Sequence, residues 1–239
     1  MNVRAILLDI EGTTTPIAFV HEVLFSYART HVRDFLKANF NSAEVRGDVA
    51  LLRAEHAADV SKNPPALDEN SLIDSIADYV EWLIARDSKS TGLKSLQGKI
   101  WRQGYLDGSL KSQVYADVAP AMERWRVNGL SINIFSSGSV LAQQLLFAHT
   151  ESGDLTKFID NYFDTKVGKK GEADSYRRIA EALSLPTNEV LFISDVTTEL
   201  DAATEAGMQT LLSIRPNNPP QTDADRYQVI RSFDDVKLT

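Results

Sequence analysis

Cysteine is absent from the 239 residues, which excludes a disulfide framework and a thiolate metal site and fits a reducing compartment. No apolar run approaches the roughly 20 residues needed to span a bilayer. The stretch after Met1-Asn2-Val3-Arg4 is too short for a signal-peptide core, and no small-residue cleavage pattern follows it. A soluble cytoplasmic protein is expected. A basic excess is also lacking: 25 Lys and Arg face 33 Asp and Glu, for a formal net charge of −8. Nucleic acid and membrane are therefore not expected as partners. An anionic ligand would need a local positive centre supplied by a metal, a lysine or a helix N-terminus. The four histidines, His21, His31, His56 and His149, are scattered singly and make no metal-ligand spacing. Internal repeats and low-complexity tracts are missing as well.

Hydrophobic residues make up 43% of the chain, enough to bury a core domain with a smaller companion. Residues 3–8 (Val-Arg-Ala-Ile-Leu-Leu) read as a buried strand, too short and continuous for an amphipathic helix. From about residue 20 to residue 105 the pattern is helical. Val20, Leu24, Tyr27, Ala28, His31 and Phe35 recur at spacings of three and four. Ala43–Val60 and Ser71–Arg86 follow, separated by Lys62-Asn63-Pro64-Pro65. Strand character returns at Leu130–Phe135, Val190–Ile193 and Thr210–Ile214. Helices are expected at Pro120–Val127, Val140–Ala148, Glu172–Leu183 and Glu199–Ala206. This alternation predicts an α/β fold with a parallel sheet covered by helices. The helical block reads as an insertion: residues 1–17 and 116–239 form the core, and 18–115 a helical cap after the first strand. The Pro-rich tail past Arg215 reads as loop closed by a short edge element.

Ligands of an open parallel sheet bind at the carboxyl ends of its strands. There the sequence places Asp9-Ile10-Glu11-Gly12-Thr13-Thr14, Ser136-Ser137-Gly138-Ser139 and Ser194-Asp195-Val196-Thr197-Thr198-Glu199. Tyr162-Phe163-Asp164 leads into Thr165-Lys166-Val167-Gly168-Lys169-Lys170. A carboxylate such as Asp9 can attack phosphorus and split a slow hydrolysis into two easier steps. Asp9 and Asp195 supply hard oxygen ligands that suit Mg²⁺. Glu11 is placed to protonate a leaving oxygen and later to deprotonate water. Ser137 would stand at a helix N-terminus facing a phosphate oxygen, and a lysine from Lys166–Lys170 would supply positive charge. Each feature alone has an ordinary reading. A strand-end Asp caps or turns, Ser-Ser-Gly-Ser turns, Thr198 with Asp201 caps a helix, and Lys169-Lys170 is a solvated pair. Their order, each at its own strand end or in the intervening loop, favours a site.

That order resembles the haloacid dehalogenase-like hydrolase superfamily, which implies a Rossmann-like core with an inserted helical cap. Most of its phosphatases carry Asp where this chain has Glu11. The string Asp-Ile-Glu-Gly-Thr-Thr-Thr-Pro-Ile (residues 9–17), with Asp164-Thr165-Lys166-Val167-Gly168 and Ser194-Asp195-Val196-Thr197, resembles the acireductone synthase family, the enolase-phosphatases of methionine salvage. The resemblance implies Asp9 as nucleophile and Glu11 as acid and base. It implies Asp9, Glu11 and Asp195 as the site of one Mg²⁺ per subunit, and Ser136, Ser137 and Lys170 as substrate contacts. Lys170 is preferred over Lys169 because the family pattern is Gly-x-Lys after Gly168. Glu11 is expected to reach the metal through its main-chain carbonyl. The implied substrate is 2,3-diketo-5-methylthiopentyl 1-phosphate, converted to an acireductone and phosphate. The cap would then line a methylthio pocket, with Phe19, Val20, His21 and Phe25 as candidates against ordinary helix packing; Trp82, Trp101 and Trp125 are expected to pack. A phosphatase for another small phosphorylated metabolite, such as a sugar phosphate, is the alternative. A dehalogenase and a silent binding module are disfavoured, since nucleophile, lysine and metal acids are all present. One chain can complete one site, so a monomer is expected.

Overall fold

The computed structural model describes residues 2–59 and 63–237; Val60 and Lys62, at the expected helix end and loop start, lie outside them. The first strand, β1 (Ala5–Leu8), is followed by a π-helical stretch, Phe19–Phe25, and then by α1 (Ser26–Asn39), α2 (Ala43–Ala58), α3 (Leu72–Ile84) and α4 (Thr91–Leu106). Strand–helix alternation then runs α5 (Val118–Val127), β2 (Ser131–Phe135), α6 (Val140–Ala148), β3 (Asn161–Phe163), α7 (Ala173–Ala182), β4 (Val190–Ser194), α8 (Thr197–Glu205), β5 (Gln209–Ser213) and β6 (Val229–Ile230). The chain divides into two compact units, residues 1–20 with 111–239, and residues 21–110. The second is inserted in sequence between β1 and α5.

In the first unit six strands form one sheet in the order β3-β2-β1-β4-β5-β6, every neighbouring pair parallel. β1 and β4 are wholly buried, as expected of strands covered on both faces. Ala5, Leu7, Val190 and Phe192 share one cluster with Tyr176 and Ile179 of α7 and Leu200 and Ala203 of α8. The pleat turns Ile6, Leu8, Leu191 and Ile193 to the opposite face, where they are equally buried. The topology also fixes where a ligand crevice opens. From β1 the chain moves to β2 on one side; from β4, hydrogen-bonded to β1, it moves to β5 on the other. The β1–β4 boundary is thus the switch point at whose carboxyl end ligands bind.

The second unit is helical. α1 and α3 each present a strongly apolar stripe, and α1 packs on α3 and α4 while α2 packs on α4. Ser42 caps α2 and Ser90 caps α4 through side-chain bonds to Val45 and Leu93 N–H. The buried Asp48 carboxylate of α2 holds Lys99 and Ser95 of α4, each at 2.7 Å. Trp101 donates Nε1–H to the Leu24 carbonyl at 2.8 Å and stacks on Phe25; His21 meets Phe25 edge-on. Trp82 stacks on Tyr79 beneath the Arg86 guanidinium. No helix of the described residues is long and apolar enough to cross a membrane.

Candidate active site

Asp9 extends β1 by one residue, its N–H donating to the Ile193 carbonyl of β4 at 3.0 Å, so its side chain stands at the sheet's carboxyl edge. The chain then turns sharply. The Ile10 carbonyl accepts from the N–H groups of Thr13, Thr14 and Thr15, and Gly12 N–H returns to the Thr15 carbonyl at 2.8 Å. Thr14 Oγ1 donates to the Asp9 and Ile10 carbonyls at 3.2 and 3.1 Å, and all three threonines are buried. Gly12 has φ +71°, and a Cβ there would run into the Asp195 carboxylate and approach the Asn218 amide. Only glycine satisfies both conditions.

Three chain segments bring charge to this edge. Lys170 Nζ lies 2.6 Å from Asp9 Oδ1 and 2.5 Å from Glu199 Oε2. Ser194 Oγ–H lies within 2.9 Å of Glu199 Oε2 and 3.4 Å of Asp9 Oδ2. Burial works to lower the Lys170 pKa, but the Asp9 and Glu199 charges outweigh it, and the net direction is upward. The ammonium therefore stays charged. Glu199 is pushed upward by burial, with the Lys170 charge opposing the shift. Asp195 is pushed up to about 8, first by burial and then by the Asp9 and Glu199 charges. Tyr176 donates its hydroxyl to the Lys170 carbonyl at 2.7 Å, and burial holds its pKa far above the usual phenol value.

The turn that delivers Lys170 is built locally. Asp164 Oδ1 accepts from Lys166 N–H at 2.9 Å, and Ser175 Oγ donates to the Lys169 carbonyl at 2.7 Å. At Gly168, φ +140°, a Cβ would collide with Ser175. Lys169 points out to solvent and pairs with Glu172, which separates the two adjacent lysines. After β2, which lies between β1 and β3, Ser136 Oγ accepts from Gly138 N–H at 3.2 Å, and Gln143 Nε2 ties the Gly138 and Phe163 carbonyls together at 2.8 and 2.9 Å. Ser137 precedes the helix by more than expected: Ser139, not Ser137, caps α6 through Ala142 N–H. Neither Ser136 nor Ser137 bonds to the charged cluster among the described residues. Glu11 lies half-buried in the nucleophile loop, bridged to Thr15 through the main chain. Thr198 lies inside α8 rather than at its cap, where Val196 stands without a side-chain cap bond and Gln221 Oε1 accepts from Thr197 N–H at 3.4 Å; Asp201 instead takes the Tyr227 hydroxyl and Arg226.

Sequence reasoning did not single out Glu199, Ser194 or Asn218 as members of the site. Glu199, in the first turn of α8, carries no signal that sets it apart from an ordinary helix-start acid. Asn218 Nδ2 donates to the Gly12 carbonyl at 2.8 Å and to Asp195 Oδ2 at 3.2 Å. Nothing in its Pro-rich loop announces that.

The donor set suits a hard divalent cation. Burial, reinforced by the Asp9 and Glu199 charges, raises the Asp195 pKa in the absence of a cation, and Lys170 is already shared by Asp9 and Glu199. Among the described residues, no three His, Cys, Asp or Glu side chains gather into a group that could hold a metal. Two carboxylates such as Asp9 and Asp195 are a donor set that can hold Mg²⁺ with waters completing its shell.

The sequence profile of the haloacid dehalogenase-like hydrolases matches residues 3–207. Over 236 residues the chain is 50% identical to enolase-phosphatase E1 of Synechococcus elongatus, covering 99% of this chain and 98% of the relative. Over 249 residues it is 42% identical to enolase-phosphatase E1 of Danio rerio, covering 99% and 95%. Among solved structures, the UTR4 protein of Saccharomyces cerevisiae superposes with a TM-score of 0.80 at 36% identity, covering 98% of this chain and 100% of that one.

Proposed function

The chain belongs to the haloacid dehalogenase-like hydrolases and, within them, to the enolase-phosphatase E1 family, and from that membership we propose that it enolises and dephosphorylates 2,3-diketo-5-methylthiopentyl 1-phosphate, using Asp9 as nucleophile. The observation that carries this reading is the Lys170 ammonium held on Asp9 Oδ1 at the β1–β4 switch point. A carboxylate fixed there by one oxygen keeps the other for phosphorus.

Asp9 attacks phosphorus, forming an acyl phosphate as the ester P–O bond breaks. Glu11 gives a proton to the departing C1 oxygen, then takes one from the water that hydrolyses the acyl phosphate and restores Asp9. Lys170 offsets charge on the transferring group, while Glu199 and Ser194 hold Lys170 and Asp9 in place. Ser136 and Ser137 are read as contacts for the phosphate oxygens. One Mg²⁺ per subunit, held by Asp9, Asp195 and the Glu11 carbonyl, would screen these charges and polarise the dicarbonyl, acidifying the C–H beside it. All these groups come from one chain, so a monomer suffices.

The test follows acireductone absorbance and phosphate together in a Mg²⁺-containing assay on the diketone phosphate. Both should appear, and EDTA or Asp9→Asn should abolish phosphate release. Phosphate freed only from other esters, sugar phosphates included, would retain the nucleophile and remove the assigned substrate.

A further inference from the structure

The loop after β5 reaches back to the site at two points. Arg215 is buried; its Nε donates to the Thr13 carbonyl at 3.0 Å, and its Nη1 pairs with Asp117 at 2.7 Å. The guanidinium lies over the Tyr115 and Phe233 rings, 4.6 Å from each centroid. From this anchor a tight turn, with Asn218 N–H on the Arg215 carbonyl and Asn217 at φ +67°, aims the Asn218 side chain inward. Its Nδ2 group donates to the Gly12 carbonyl and to Asp195 Oδ2. Both partners are acceptors, so the amide orientation is fixed. Its Oδ1 is buried and has no partner among the described residues, leaving an acceptor for a water or ligand donor.

We propose that Asn218 is a positioning residue for the cation site: it sets the rotamer of the Asp195 carboxylate and ties it to the loop that carries Asp9. The two acids come from different strands, and the Cβ-free Gly12 lets the Asn218 amide bridge the Asp195 carboxylate and the main chain of the loop after Asp9. The inference rests on the assignment of Asp195 to Mg²⁺ binding. An acid held by a neutral donor keeps its full charge for the cation, which a salt-bridge partner would compete for. Removing an outer hydrogen bond of this kind typically weakens metal affinity by about 10–100-fold.

The experiment measures phosphate release against Mg²⁺ concentration for the intact protein, Asn218→Ala and Asn218→Ser, and the Mg²⁺-induced rise in melting temperature for each. Serine is too short to reach both acceptors and serves as a milder change should alanine unfold the loop. The half-saturating Mg²⁺ concentration should rise about 10-fold or more in both variants. Their thermal response to a fixed Mg²⁺ concentration should shrink, and turnover should approach the parent value at saturating Mg²⁺. A merely structural role would lower stability or turnover while leaving the half-saturating concentration unchanged, and that result overturns the proposal. If the parent protein itself releases phosphate undiminished in EDTA, the cation assignment fails, and this inference with it.

Discussion

Replacing Lys170 by methionine keeps the length of the side chain and deletes its charge. The ammonium sits between Asp9 and Glu199 with all three side chains largely buried, 11%, 7% and 15% exposed. Deleting one partner of a buried ion pair costs about 3–5 kcal/mol, because the other charge is left uncompensated. Here two carboxylates are orphaned, so a cost within that range is expected at pH 8. Protonation offers relief at lower pH. Burial already raises the Glu199 pKa against the pull of Lys170, and without the lysine it rises further. The folded variant then binds a proton that the unfolded chain releases near the ordinary value of 4.5, so its stability falls as pH climbs above that value. The contribution of Lys170 itself is fully present below its unfolded value of 10.5 and does not vary between pH 5 and 8. At about 2–4 °C per kcal/mol for a chain of this size, the melting temperature should drop by roughly 6–20 °C at pH 8. The drop should be clearly smaller at pH 5. Circular dichroism melts of the Mg²⁺-free proteins at both pH values decide the matter. Equal melting temperatures for parent and variant at pH 8, or a deficit larger at pH 5, would refute the reasoning.

Glu11→Gln should lower phosphate release by about 10²–10⁴-fold; full retention, measured at saturating substrate, would remove Glu11 from proton transfer. In the Mg²⁺-free protein Asp195 binds a proton up to about pH 8 in the folded state against 3.8 unfolded. Stability should therefore fall across that interval as pH rises, and melts of Asp195→Asn should show a flatter pH profile. Gly12→Ala forces a side chain into left-handed φ at a cost of about 1–2 kcal/mol and pushes against Asp195. Loss of activity beyond what the thermal shift explains is the expected result, and an active, equally stable variant would contradict the tight turn described here.

What the sequence shows most plainly is what a strand needs regardless of its partners. β1 and β4 are near-continuous apolar runs because both faces of the sheet are covered there, and β2 and β5 keep enough apolar residues to read as strands. β3 has three residues, two of them part-buried, and pairs on one side only, too little for any period to register. The Asp9, Asp195 and Lys170 positions were legible because strand-end acids and a lysine loop recur in a fixed order. Glu199 was not, since an acid in the first turn of a helix is ordinary on electrostatic grounds. Its contact with Lys170 depends on a turn that starts thirty residues earlier in the chain. The Thr198–Asp201 capping reading fails because α8 starts at Thr197, from Val196, which makes no side-chain cap bond. Asn218 lay hidden in a segment whose prolines suggest only loop.

β1 pairs with residues 131–134 on one side and 190–193 on the other, with the whole helical unit made in between. A growing chain therefore carries its nucleophile strand unpaired until the whole helical unit has been made. Helices α1 to α4 close contacts over short sequence separations and can form early. Asp9 acquires its ordered surroundings only when β4 is complete and Ser194 and Asp195 have followed it out. Catalytic competence in such a chain waits on its most distant strand pairing rather than its first, and an apolar strand left waiting that long is a natural client for a chaperone.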